Sequence, residues 1–128
     1  MLVRGLMLVL AMRLPVSALG AGPPVKSGFV TTSDGVRLHY LESGRGPAIL
    51  FVPGWTMPAE IWEPQIEHFA ARYRVVAMDP RSQGASDKPT EGHYPERRAQ
   101  DIKEVVDRLK LAPVVLVGWS LGVPESLT

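Results

Sequence analysis

The chain has no cysteine. That excludes a disulfide scaffold, a thiolate zinc site and a cysteine nucleophile. It also lacks an excess of either charge. Fourteen basic residues against 13 acidic ones leave a net charge of +1 at pH 7, which points to neither nucleic acid nor an acidic partner. There is no clustered His/Asp/Glu set and no Gly-Lys loop of the kind that cradles phosphate, so no metal and no organic cofactor are expected. The apolar run Gly5–Met12 is too short to span a bilayer. What remains is 128 residues without an internal repeat, 45% apolar and 21% charged. That is one domain with a globular composition, not a disordered one.

The N-terminus is laid out like a secretory signal peptide: a short basic start ending at Arg4, the apolar run, then small and turn-prone residues from Pro15 to Ala21. Val16-Ser17-Ala18 and Ala18-Leu19-Gly20 offer small residues for cleavage. Residues 1–20 are therefore read as a signal peptide, 21–27 as a linker around Pro23-Pro24, and 28–128 as the domain. The protein would be secreted or periplasmic. A start codon assigned upstream of a cytoplasmic protein is the competing reading. Removing residues 1–20 takes away Arg4 and Arg13 and no acid, so the net charge moves from +1 to −1, and the conclusion about partners stands.

Within the domain, Phe29–Thr32 and the alternating Val36–Leu41 read as a hairpin around Ser33-Asp34-Gly35, with Gly35 suited to positive φ. His39 falls on the polar side of that alternation and is expected to be exposed. Ala48–Val52 is an uninterrupted apolar run, as expected of a strand covered on both faces. Pro53-Gly54-Trp55 ends it. Ile61, Trp62, Ile66, Phe69 and Ala70 then recur at helical spacing, Pro64 opens a second segment and His68 faces solvent. Arg74–Met78 is the next strand. The loop Asp79–Pro89 is rich in turn formers, and Asp79 and Arg81 are expected to pair and brace it. Pro95–Leu111 is the clearest helix. Its apolar face is Ala99, Ile102, Val105, Val106 and Leu109, and its charges are expected to be solvated. Pro113 opens the last strand.

That strand, Val114–Val117, runs into Gly118-Trp119-Ser120-Leu121-Gly122. Gly-x-Ser-x-Gly alone is a weak motif, but a strand leading into it gives it a mechanical sense. A sharp strand–turn–helix corner holds the serine in a strained conformation with its hydroxyl clear of the sheet. Gly118 and Gly122 fit where a Cβ would clash. Ser120 is thus a candidate nucleophile, and the Leu121 amide can face a developing oxyanion. The order of elements predicts an α/β protein: an N-terminal hairpin, then parallel strands with flanking helices. Pro53-Gly54-Trp55, the Asp79 loop and Ser120 all follow strand ends and can converge on one cleft.

From about Gly28 onward the chain resembles the α/β-hydrolase superfamily. The resemblance rests on Phe51-Val52-Pro53-Gly54-Trp55, on Asp79-Pro80-Arg81-Ser82-Gln83-Gly84-Ala85-Ser86 and on the Gly118–Gly122 segment. Its nearest flavour is the non-haem chloroperoxidases or perhydrolases and related esterases. It implies an α/β-hydrolase fold truncated just after the nucleophile elbow. It further implies a small acyl substrate, Ser120 as nucleophile, and the Trp55 and Leu121 amides as the oxyanion hole. Where members often have His-Gly, this chain has Pro53-Gly54. Ser120 argues against members with an aspartate nucleophile. In the superfamily the acid and histidine follow the serine, yet only eight residues follow Ser120, none of them His. His39, His68 and His93 all precede it, Glu125 is too near in sequence to act as the acid, and Pro124 falls in the first turns of the following helix. The acid and the histidine are expected beyond residue 128. Without further strands, Val114–Val117 would be an exposed apolar edge prone to self-association. The rival expectation is a truncated, non-catalytic remnant or binding fragment.

Overall fold

The computed structural model describes residues 22–128; the proposed signal peptide lies outside them. Five strands, β1 (Lys26–Thr31), β2 (Arg37–Ser43), β3 (Ala48–Val52), β4 (Arg74–Met78) and β5 (Val114–Gly118), form one mixed sheet in the order β1-β2-β4-β3-β5. Three helices flank it: α1 (Glu63–Phe69), α2 (Pro95–Arg108) and α3 (Gly122–Leu127). A 3-10 turn at Ala59–Trp62 leads into α1, and Pro64 sits in the first turn of α1, where its missing N–H costs nothing.

The sheet is the expected hairpin plus parallel strands. β1 and β2 are antiparallel, β2 joins β4 antiparallel, and β3 is parallel to both β4 and β5. Gly35 turns the hairpin at φ +83°. The chain leaves β3 toward β4 on one side and returns to pair β5 on the other. Such a reversal of strand order opens a crevice beyond the carboxyl ends of the strands.

Alternation along the central strands divides the core between two faces. Leu50, Val52, Val76 and Met78 face Ile102, Val105 and Leu111, under α2. Ile49, Phe51, Val75 and Ala77 face Ala59, Trp62 and Ile66, under α1. β3 and β4 are therefore buried on both sides, which is why they carry no polar alternation.

Several expectations are corrected. β1 begins at Lys26, inside the span read as linker. The Pro23 and Pro24 carbonyls accept bonds from Ser43 Oγ, so that span is tied to β2. β5, by contrast, ends the sheet among the described residues as the exposed apolar edge expected without further strands, with Val115 61% and Leu116 37% exposed. α2 ends at Arg108. Its charges are not all solvated: Arg98, Asp101 and Glu104 are buried, each with an ionic partner.

Candidate active site

β5 ends at Gly118 and α3 begins at Gly122, leaving three residues to reverse direction. Ser120, at the apex, has φ +52°, a left-handed conformation that costs a non-glycine residue about 1–3 kcal/mol. It is held from both sides. The Trp119 amide donates to the Val52 carbonyl at 3.0 Å, and the Gly122 amide donates to the Trp119 carbonyl at 2.9 Å. Both glycines are needed for the close approach. A Cβ on Gly118 would lie 2.6 Å from the Gly122 carbonyl oxygen, and one on Gly122 would lie 2.4 Å from the Val52 carbonyl oxygen. Ser120 is exposed, and among the described residues its hydroxyl has no hydrogen-bond partner. A strained serine lifted clear of the sheet is what the sequence pattern predicts.

The segment after β3 abuts this corner. A Cβ on Gly54 would lie 3.1 Å from Ser120 Cβ and 3.0 Å from Trp119 Cδ1. Trp55 follows, 55% exposed, and Thr56 turns at φ +64°. Neither the Trp55 amide nor the Leu121 amide donates a hydrogen bond to any described residue. Leu121 directly follows Ser120, Trp55 follows the Gly54 that packs against Ser120, and both amides are without an acceptor among the described residues.

The Asp79–Pro89 loop holds that arrangement through side chains. Asp79 is fully buried. Its Oδ1 accepts from the Ala59 amide at 2.5 Å, and its Oδ2 accepts from the Ala85 amide at 2.8 Å and pairs with His39 Nδ1 at 2.9 Å. Gly84 turns at φ +50° and packs so close that a Cβ there would meet Asp79 Oδ2 at 2.2 Å. Gln83, buried, donates through Nε2 to the Gly54 carbonyl at 3.0 Å and the Met57 carbonyl at 2.9 Å, bracketing Trp55. Ser86 Oγ donates to the Asp79 carbonyl at 2.6 Å and accepts the His39 amide at 2.8 Å.

Asp79 and Arg81 do not pair with each other. Arg81, 1% exposed, makes a two-pronged contact with Asp101 of α2, Nε to Oδ2 at 2.6 Å and Nη2 to Oδ1 at 2.7 Å, and reaches Asp34 of the hairpin turn at 3.1 Å. The Asp101 carboxylate raises the Arg81 pKa above its ordinary value. Burial opposes ionisation of Asp34, but hydrogen bonds from Arg81 and Thr32 outweigh it and lower that carboxyl to about 2. Glu104 is lowered in the same way: burial opposes, and Ser33 and Arg97 prevail.

None of the three histidines hydrogen-bonds Ser120. His39 is 6% exposed rather than on the surface, because Asp79 and the loop close over its side of β2. His68 is exposed on α1, with its ring edge-on to Phe69. His93 is exposed, 2.9 Å from the Pro89 carbonyl. Glu125 is buried in an ion pair with Arg98 of α2. Two cavities lie elsewhere, lined by Val25, Leu41, Glu63 and Ile66 and by Pro24, Glu42, Arg45 and Arg74. Among the described residues no three His, Asp or Glu cluster as metal ligands, and no helix is long and apolar enough to cross a membrane.

A single mixed sheet between flanking helices, with a strained serine at the strand–helix corner, defines an α/β-hydrolase fold, and the chain belongs to that family. The family model for the alpha/beta hydrolase fold matches residues 47–127. The chain is 38% identical over 98 residues to a non-heme chloroperoxidase of Streptomyces lividans, covering 74% of this chain and 36% of that one. It is equally identical, with the same coverage, to a bifunctional esterase/perhydrolase of Acinetobacter calcoaceticus. The crystal structure of E-2-(acetamidomethylene)succinate hydrolase superposes with a TM-score of 0.77 at 33% identity, covering 81% of this chain and 38% of that one. The chain thus spans about a third of the length of the curated relatives it matches.

Proposed function

We propose that the chain carries the nucleophile and oxyanion hole of a serine hydrolase acting on an ester or similar acyl compound. Ser120 Oγ attacks the carbonyl carbon. The Trp55 and Leu121 amides accept the charge that builds on the carbonyl oxygen, and an acyl-enzyme forms as the alcohol leaves. A histidine takes the serine proton and a carboxylate orients that histidine. No described residue hydrogen-bonds Ser120 Oγ, so both groups are assigned to sequence beyond residue 128. With peroxide replacing water in the second step, the same serine would yield a peracid, so the elbow fits an esterase and a perhydrolase equally. The observation that carries this reading is Ser120 at φ +52° beside two unpartnered amides.

The test is modification by a serine-reactive phosphonate, followed by peptide mass spectrometry. The reading expects labelling of Ser120 that Ser120→Ala abolishes. A folded protein that stays unlabelled with the proposed histidine and carboxylate in place refutes it. That result favours the second reading, a binding fragment that associates through β5, for which the 61% exposure of Val115 on an end strand speaks. Concentration-dependent sedimentation that Val115→Lys suppresses would support such association.

A further inference from the structure

We infer that Arg98 is a positioning residue that sets the separation of the two oxyanion amides. Its side chain is 5% exposed and touches both sides of the hole. On one side Nε pairs with Glu125 of α3, itself 5% exposed, a few residues past Leu121. On the other side Cζ lies 5.6 Å from the centre of the Trp55 ring, within range of a cation–π contact. Trp55 follows β3 and Leu121 follows β5, paired strands whose ends lead into this corner. The Trp55 loop is fixed from below by Gln83, which grips the carbonyls of Gly54 and Met57, while the Trp55 ring itself is 55% exposed. Arg98 is what that ring rests on.

The cost of this arrangement argues for a purpose beyond packing. Nη1 and Nη2 of Arg98 are buried without a hydrogen-bond partner among the described residues, an unfavourable placement for a cation. The Arg81–Asp101 contact, two-pronged and on the same helix, already ties α2 to the body of the protein. A leucine at 98 would pack the same space without orphaned donors, but it would neither hold Glu125 nor present charge to the Trp55 ring. A planar, permanently charged group does both at once.

The inference rests on the proposed oxyanion role of Trp55 and Leu121, and its test separates the two. Backbone-amide and indole NMR signals are compared in the wild-type chain, Arg98→Met and Arg98→Lys. In Arg98→Met the Trp55 and Leu121 amide signals and the Trp55 indole signal are expected to move together, while those of Phe51 and Val76 in the sheet stay in place. Arg98→Lys, which keeps a charge for Glu125 and the ring, is expected to move them part of the way back. Phosphonate modification of Ser120 supplies the second readout. Its maximal rate is expected to fall about tenfold in Arg98→Met, the scale set by small misplacements of reacting groups, with the half-saturating reagent concentration unchanged. Shifts confined to α3, with Trp55 unmoved and labelling at the wild-type rate, would reduce Arg98 to a helix–helix staple and overturn the inference. If the wild-type protein is not labelled at all with the proposed histidine and carboxylate in place, the hydrolase reading fails, and the NMR comparison still decides whether Arg98 couples the two segments.

Discussion

Replacing Asp79 by alanine removes one acceptor group and leaves three donors without partners. The carboxylate is fully buried and receives the amides of Ala59 and Ala85 and the ring of His39. A buried donor stripped of its partner costs about 1–3 kcal/mol. The three share one cavity and relax together, so their costs do not simply add, and the loss for Asp79→Ala is about 3–5 kcal/mol. Against the 5–15 kcal/mol typical of a whole domain, that brings the protein close to unfolding. Asp79→Asn is the sharper probe. It keeps the shape and one acceptor oxygen but turns an N–H group toward donors already in place, so it should lose nearly as much. Asp107→Asn serves as the control. Its partner Lys103 is 65% exposed, and the change should stay within about 0.5 kcal/mol of wild type. Urea unfolding followed by circular dichroism, with unchanged slope, reads all three. An Asp79→Asn variant as stable as wild type would refute the reasoning, because the pocket would then tolerate a donor where only an acceptor fits.

Gly118→Ala should cost about 1–3 kcal/mol and slow phosphonate modification of Ser120, since the new methyl meets the Gly122 carbonyl at 2.6 Å and the Val123 nitrogen at 2.7 Å; normal labelling of a stable variant would contradict it. Gly35→Ala has nothing within 4 Å but a φ of +83°, so it should be milder, about 1 kcal/mol, and leave labelling alone. For acid sensitivity the sign follows from Asp34, whose carboxyl drops from 3.8 to about 2 on folding. Its contribution is fully present above pH 3.8 and is lost as pH falls through about 2. Melting temperatures taken from pH 5 to pH 2 should therefore fall less steeply for Asp34→Asn than for wild type, and parallel curves would refute the assignment.

Strand and helix identities were legible because the central elements obey simple periodicities. Ala48–Val52 and Arg74–Met78 carry no polar alternation, so double-sided burial could be read directly. The elbow was legible because its glycines answer a local steric demand: Gly118 must clear Gly122, four residues on. His39 and the Asp79 loop were not legible for the opposite reason. His39 occupies a polar position in its strand, and only the return of a loop some 40 residues later buries it. Asp79 and Arg81 have the sequence spacing of a pair, yet each finds a better partner in another element. Gln83 lies among turn formers and gives no sign that it holds the Trp55 loop. Arg98, Asp101 and Glu104 lie outside the apolar stripe of their helix, and their burial depends on what covers that helix. A loop with alternating buried polar residues, Asp79, Arg81, Gln83 and Ser86, was the one available clue that it folds inward.

The pairing of β5 with β3 also sets an order of assembly. Ala48 meets Val114 across 66 residues, whereas β3 meets β4 across 26, Ala48 to Arg74. Closing the longer loop is slower and less favourable until the intervening strands and helices have condensed. The Trp55 turn, clamped by Gln83, belongs to the part of the chain that can form first, and Ser120 with Leu121 can only be added to it afterwards. On a ribosome the early piece would wait with its β3 edge open until β5 emerged. Reactivity at Ser120 would then require that β5 had docked, and a chain arrested any earlier would hold β1 to β4 in place and be chemically silent.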